Sequence, residues 1–259
     1  MTSTNGGDDR RTGSDISRSL ELLWDEAARP TRGPKPALTL DRIVTEAVRL
    51  ADAEGIAAVS MRRLATELGT GTMSLYRYVP NKGVLLDLML DRVYAPPEED
   101  ASWTGGWREG VETYARETLV RYRRHPWLLH VNQARPVLGP GAVGGLDRTL
   151  SRIRTMGLTD PELIGVIVMV EGYVTGAART QVHEMEAAQK TGLSDQAFWE
   201  AQTPTLDRAM RSGRYPTLAT LSHDAFGTDF DHFEFGLQRL LDGLDVMVAR
   251  RGQDTELDT

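Results

Sequence analysis

SMRRLATELGTGTMSLYRYVPNK, residues 60–82, reads as two short helices joined by a tight turn. Ser60 is a hydroxyl N-cap, able to accept from an amide one turn on, for a helix reaching Leu68. Leu64, Ala65 and Leu68 recur at helical spacing and face inward. Gly69 stops that helix, as glycine does just past a C-terminus. Thr70, Gly71 and Thr72 turn the chain, and a second hydroxyl cap is expected there. A second helix follows over Met73 to Val79, until Pro80 and Asn81 end it. Helix, glycine turn, short helix is the layout of a helix-turn-helix, whose second helix enters the DNA major groove.

The outward residues suit that task. Arg62, Arg63, Arg77 and Lys82 oppose the single acid Glu67, so the stretch carries a net charge of +3. Arginine can grip guanine O6 and N7 together, and a methionine can touch a thymine methyl. Hydroxyls commonly bond phosphate oxygens. We therefore expect Arg62, Thr72, Met73 and Arg77 to face bases, and Ser74, Tyr76, Tyr78 and Lys82 to hold phosphates. An ordinary surface hairpin of helices shares this period and charge, and these two features alone leave both readings open.

Taken more widely, TLDRIVTEAVRLADAEGIAAVSMRRLATELGTGTMSLYRYVPNKGVLLDLMLD closely resembles the N-terminal domain of TetR-type (tetracycline-repressor family) transcriptional regulators. The likeness runs without a gap from Leu38 to about Tyr94. Its most specific parts are the ADAEG turn, the RRLATELG helix and the LYRYVPNK recognition helix. It implies an all-α protein with an N-terminal three-helix helix-turn-helix domain and a helical C-terminal ligand-binding and dimerisation domain. It further implies a dimeric repressor, released from palindromic operator DNA by a small-molecule effector. The body after residue 95 is more weakly similar to the C-terminal regulatory domain of the tetracycline-repressor subtype. Tetracycline repressors bind a magnesium chelate through histidines. No position here matches those, so no metal ligand and no cofactor is assigned.

The net charge of −7 over 259 residues looks wrong for a DNA binder until it is divided. Residues 1–38 and 39–95 are each balanced, and the whole excess of acid lies in 96–259. Phosphate neutralisation is local, so a basic patch on one end suffices. Hydrophobic residues make up 40% of the chain, enough for a buried core, and there is no cysteine for a disulfide, a thiolate nucleophile or a zinc site. No apolar run approaches the ~20 residues of a membrane span, and the N-terminus lacks a secretory h-region. A soluble cytoplasmic protein is expected.

Along the chain, residues 1–15 read as disordered. Ile16 to Ala28 is either a short amphipathic helix, with Leu20, Leu23 and Trp24 on one side, or a partly ordered leader. RPTRGPKP, residues 29–36, combines three cations with three prolines and must be extended. It is either an arm reaching the minor groove through Arg29, Arg32 and Lys35 or a solvated linker. Thr39 caps a helix to Glu54. A helix from Lys82 to Tyr94, apolar around much of its girth, suits a connector, and in the resembling family this helix carries the ligand signal. Pro96 and Pro97 mark a boundary, giving domains over 1–37 (leader and arm), 38–95 (head and connector), 96–251 (regulation and dimerisation) and 252–259 (disordered tail).

Only helical periods follow. Helices are expected over Trp107 to His125, in a short WLLHVNQ segment, and over Leu146 to Met156, with GPGAVGG (139–145) as a loop. Thr159, Asp160, Pro161 and Glu162 form a strong helix start. The stripe Ile164, Ile167, Val168, Glu171, Val174, Thr175, Ala178 and Val182 carries that helix towards Gln189. Ser194 to Arg211 should be interrupted near Pro204, and Phe230 to Arg251 is amphipathic through Phe233, Leu237, Leu240, Leu241, Leu244 and Met247. The helices beginning at Thr159 and Phe230 can build a four-helix bundle across a two-fold axis, or simply fill a monomer core. Candidate effector-pocket residues are Trp127, Met169, Tyr173, His183, Phe198 and Trp199; aromatic residues at such spacing also pack as plain core. The five histidines show no metalloprotease spacing, and no nucleophile and base stand in a recognisable pattern, so no catalytic residue is assigned. An effector-independent architectural DNA binder is the alternative, and a small-molecule enzyme is more distant still.

Overall fold

The computed structural model describes residues 12–25, 38–97, 103–222, 225 and 230–257. Among them the regular structure is entirely helical. Two compact units divide at residues 158 and 159.

The first unit opens with α1, Gly13–Trp24. Thr12 and Asp15 form a capping box, so the helix starts three residues before the position read from the sequence, and Asp25 closes it well short of Ala28. The signal was local, a hydroxyl followed three residues later by an acid. The cationic arm around Arg29, Arg32 and Lys35 lies outside the described residues.

The head follows as α2 (Leu40–Glu54), α3 (Met61–Glu67) and α4 (Thr72–Tyr76), with the connector α5 (Lys82–Tyr94) behind them. Ile43, Ala47, Leu50, Leu64, Leu75, Val79, Val84, Leu85 and Met89 are fully buried and form one core. Arg92 of α5 reaches Asp41 and Thr45 of α2, both at 2.7 Å, on the rim of that core.

Helix α6 (Trp107–Arg124) and α7 (Pro140–Ile153) complete the first unit. The expected GPGAVGG loop is helix from Pro140 onward. Its glycines serve close approach, not turning. A Cβ built on Gly141 would lie 2.2 Å from the Asp91 carbonyl oxygen, and one on Gly145 would lie 2.8 Å from that of Tyr94. Gly141 and Gly145 are one turn apart, so a bare strip of α7 lies on the backbone of α5. The buried Asp91 carboxylate then accepts from the amides of Gly141 (3.1 Å) and Ala142 (2.9 Å) and caps α7 from another helix.

The second unit contains α8 (Asp160–Thr191), α9 (Asp195–Arg211) and α10 (His232–Leu257). Thr159 donates through its amide (2.8 Å) and hydroxyl (2.7 Å) to Glu162, and Arg251 of α10 joins the same carboxylate. These donors, Thr159 first, hold the Glu162 carboxyl down to about 2. The buried stripe of α8 is Leu163, Val166, Val170, Val174, Ala178 and Val182. It meets Phe233, Leu237, Leu241 and Leu244, the buried residues of α10. The expected stripe is therefore right in its second half and out of phase in its first, where Ile164 and Val168 are exposed. The first half of α8 is apolar on two faces, so periodicity alone cannot select between them. This helix is also long and apolar enough to cross a membrane by length and composition, although its apolar residues do not form one continuous run.

Two further expectations fail in this unit. Helix α9 passes through Pro204 unbroken. The carbonyl left without an amide donor belongs to exposed Glu200, so solvent can replace the lost bond. Helix α10 runs to Leu257 through the segment expected to be a disordered tail, because nothing beyond Arg251 breaks a helix except one tolerated glycine.

Candidate nucleic-acid interface

The turn between α3 and α4 is built from its backbone. Gly69 has φ +64°, its amide bonds the Thr66 carbonyl at 3.1 Å, and the Thr70 amide bonds that of Ala65 at 2.9 Å. This pair of bonds is a Schellman motif, which needs a left-handed residue at this position. At the other end of α3, Ser60 accepts from the Arg63 amide at 3.2 Å, as its hydroxyl requires. The second hydroxyl cap does not form. Gly71 is the N-cap of α4 and makes no side-chain bond, because the helix begins at Thr72 itself. Helix α4 also ends at Tyr76, three residues before Val79.

Leu75 and Val79 anchor this short helix in the core, and the opposite side faces solvent. Met73 is 77% exposed, Tyr76 is 45% exposed and Arg77 is exposed, with Thr72 and Ser74 half-buried beside them. Arg62 is exposed on α3. Among the described residues neither Arg62 nor Arg77 enters an ion pair. Arg63 differs: its guanidinium pairs with Glu54 at 3.0 Å and Glu67 at 2.9 Å, so it adds little positive field. Lys82, first residue of α5, rests its ammonium 3.3 Å from the Ile56 carbonyl and keeps two further donors. Tyr78 is corrected. Its hydroxyl donates to the Leu38 carbonyl at 3.0 Å, so its one proton ties the start of α2 to α4 and is not offered to a phosphate.

The sequence reading missed Asn81. It treats Asn81 as a helix stop, whereas its Oδ1 caps α5 through the Val84 amide (2.9 Å) and its Nδ2 donates to Asp15 of α1 (2.7 Å). An asparagine just before an apolar helical run is a start signal as much as a stop. A second missed group is Asp52 on α2. Its Oδ1 lies 2.7 Å from both His125 Nδ1 and Trp127 Nε1, tying the head to the end of α6. Nothing in the local spacing announces a contact across more than seventy residues.

The six effector candidates do not converge within one unit. Trp127 is buried in the first, its indole N–H held by Asp52. The other five lie in the second. Tyr173 stacks on Phe233 at 5.7 Å and donates to the Phe233 carbonyl at 2.7 Å, a packing role, and burial pushes its phenol above the ordinary range. Met169, His183, Phe198 and Trp199 are exposed, the last two as an edge-to-face pair 5.5 Å apart.

Residues 43–89 match the model of the bacterial regulatory proteins of the tetR family, and residues 97–248 match the tetracyclin repressor-like C-terminal domain. The chain belongs to the TetR family. It is a helix-turn-helix transcriptional regulator. This TetR-family chain is 64% identical to the HTH-type transcriptional repressor DrrR1 of Streptomyces coeruleorubidus, over 92% of its own length and 88% of the relative's. Its fold is similar to that of the TetR-family protein ActR from Streptomyces coelicolor. The structure of ActR with actinorhodin matches at TM-score 0.66 and 34% identity, covering 82% of this chain and 96% of that one. The structure of ActR with (S)-DNPA matches at TM-score 0.63 and 33% identity, covering 82% and 98%.

Proposed function

We propose that the protein is a homodimeric repressor whose two heads read a palindromic operator, and which a small-molecule effector releases from DNA. The supporting observation is the face of α4. Its exposed Met73, Tyr76 and Arg77 stand opposite an anchored Leu75, so a helix too short to be stable alone is held outward by the core. Arg62, Thr72, Met73 and Arg77 read bases. Ser74, Tyr76 and Lys82 hold phosphates. One such helix confers little specificity, and two heads about 34 Å apart on a two-fold axis read both halves of a palindrome. The head and connector act as one functional domain over 38–95 and the helical body, from residue 96 through α10, as another, in a cytoplasmic protein that is not an enzyme.

Effector release follows from linkage: a ligand that binds one arrangement of the heads better than the other shifts the population between them. By analogy with ActR, whose structures hold actinorhodin and (S)-DNPA, these two compounds are the first to titrate. Among the candidates, exposed Met169, His183, Phe198 and Trp199 remain available to a ligand.

Selection of duplexes from a random pool tests the reading directly. Arg77→Ala should cost about 1–3 kcal/mol on the selected duplex and relax its sequence preference. Lys82→Ala should weaken all duplexes alike and lower the salt slope by about one. An Arg77→Ala protein with unchanged affinity and preference overturns the orientation assigned to α4.

A further inference from the structure

Helix α1 lies outside both stretches matched by the family models, yet it is attached to α5 and to the start of α7 at several points. At its first turn Asp15 accepts from Asn81, the residue that caps α5 immediately after the recognition helix. At its middle Ser19, fully buried, donates to the buried Asp87 of α5 at 2.7 Å. At its end the exposed Trp24 still donates its indole N–H to the Leu138 carbonyl at 3.0 Å. Beside it, a Cβ on Gly139 would lie 2.8 Å from the Leu23 side chain.

The helix is docked through polar as well as apolar side chains. Its one fully buried residue is a serine, while Ile16 and Leu20 are exposed. The sequence pattern places Leu20, Leu23 and Trp24 on its apolar side, whereas the packed side carries Asp15 and Ser19 together with half-buried Leu22 and Leu23. Apolar contacts tolerate sliding. A hydroxyl seated on a buried carboxylate does not, because a shift by one residue removes that bond. The attachment thus has a single register. Its first point acts on Asn81, in the short link between the recognition helix and the connector, and hence on Lys82, the first residue of the connector.

We propose that α1 is a register-specific brace that holds the DNA-proximal end of α5 in its operator-reading position, attached through Asp15, Ser19 and Trp24. Asp15 and Ser19 are positioning residues, since they act on DNA only through Asn81 and α5. This inference rests on the operator-binding reading above. Because binding couplings are reciprocal, DNA must tighten the brace by the factor by which the brace strengthens DNA binding.

The chain has no cysteine, so Leu23→Cys in the full-length protein places one thiol on the packed side of α1 beside Gly139 and leaves Asp15, Ser19 and Trp24 in place. Its rate of reaction with a thiol reagent reports opening of the brace. With a duplex selected by the parental protein at saturation, labelling should slow about tenfold. In parallel, Asp15→Ala should weaken binding to the same duplex by a like factor, with the helical melting transition of the head retained. Labelling that ignores the duplex, or Asp15→Ala protein that binds it with parental affinity, overturns the brace alone. A parental chain that selects no duplex overturns the DNA-binding reading and the brace with it.

Discussion

The head and the second unit use their apolar residues in opposite ways. In the head, α2 to α5 close on one another around fully buried Ile43, Leu50, Leu64, Leu75, Leu85 and Met89. Among the described residues of the second unit, burial is confined to the seam between α8 and α10. No described residue of α9 is buried, and Ile164, Val168, Phe198, Trp199 and Phe235 stay exposed. A head that completes its own core can be a rigid reading device. A unit that leaves the second apolar face of one helix uncovered has surface to bury against a second copy, which is the arrangement a palindrome reader needs.

The sharpest way to break this contrast is a charge on the outer face of α8. Val168 is 65% exposed, so Val168→Glu should leave the chain folded. If this face meets its symmetry mate, burying an unpaired carboxylate costs about 3–5 kcal/mol. Sedimentation should then show monomer at concentrations where the parental protein is a dimer. An unaltered dimer would place the interface elsewhere. The converse change is Leu64→Ala in the head, which should cost about 2–5 kcal/mol of unfolding free energy in a urea titration and leave dimer mass untouched. A smaller effect is expected at Asp91→Ala. It leaves the amides of Gly141 and Ala142 without their acceptor and should destabilise the first unit by about 1–3 kcal/mol in the same titration. The smallest sits at the start of α8. The Glu162 carboxyl is held at about 2 in the fold against an ordinary 4.5, so its contribution is complete above 4.5 and fades as pH falls towards 2. Melting temperatures of the parental and Glu162→Ala proteins should differ at pH 6 and converge near pH 2.

Much of the head was legible because its signals are local. Thr39, Ser60 and Gly69 cap or stop helices through bonds to residues within a few positions, and α5 occupies its expected span of Lys82 to Tyr94. The outward placing of Met73, Tyr76 and Arg77 on or beside α4 agrees with their exposure, whereas the anchoring of Leu75 and Val79 appears only in the fold. Tyr78 was misread because its acceptor, Leu38, lies forty residues away.

By itself, then, the sequence determined that the chain is helical, where α2, α3 and α5 of the head begin, and which end of the chain carries the cationic face. Those choices depend on backbone sterics, on amides within reach of a neighbouring hydroxyl, and on a period of 3.6 residues. Only the tertiary structure decided that GPGAVGG is helix, which of two apolar faces of α8 is buried, that Asn81 is held by Asp15, and that Asp52 and Asp91 hold distant elements. Each of these depends on what another segment brings alongside: a carbonyl that leaves no room for a Cβ, a facing helix, a donor that satisfies a buried charge. Local pattern can show that a group needs a partner, but folding alone selects which one arrives.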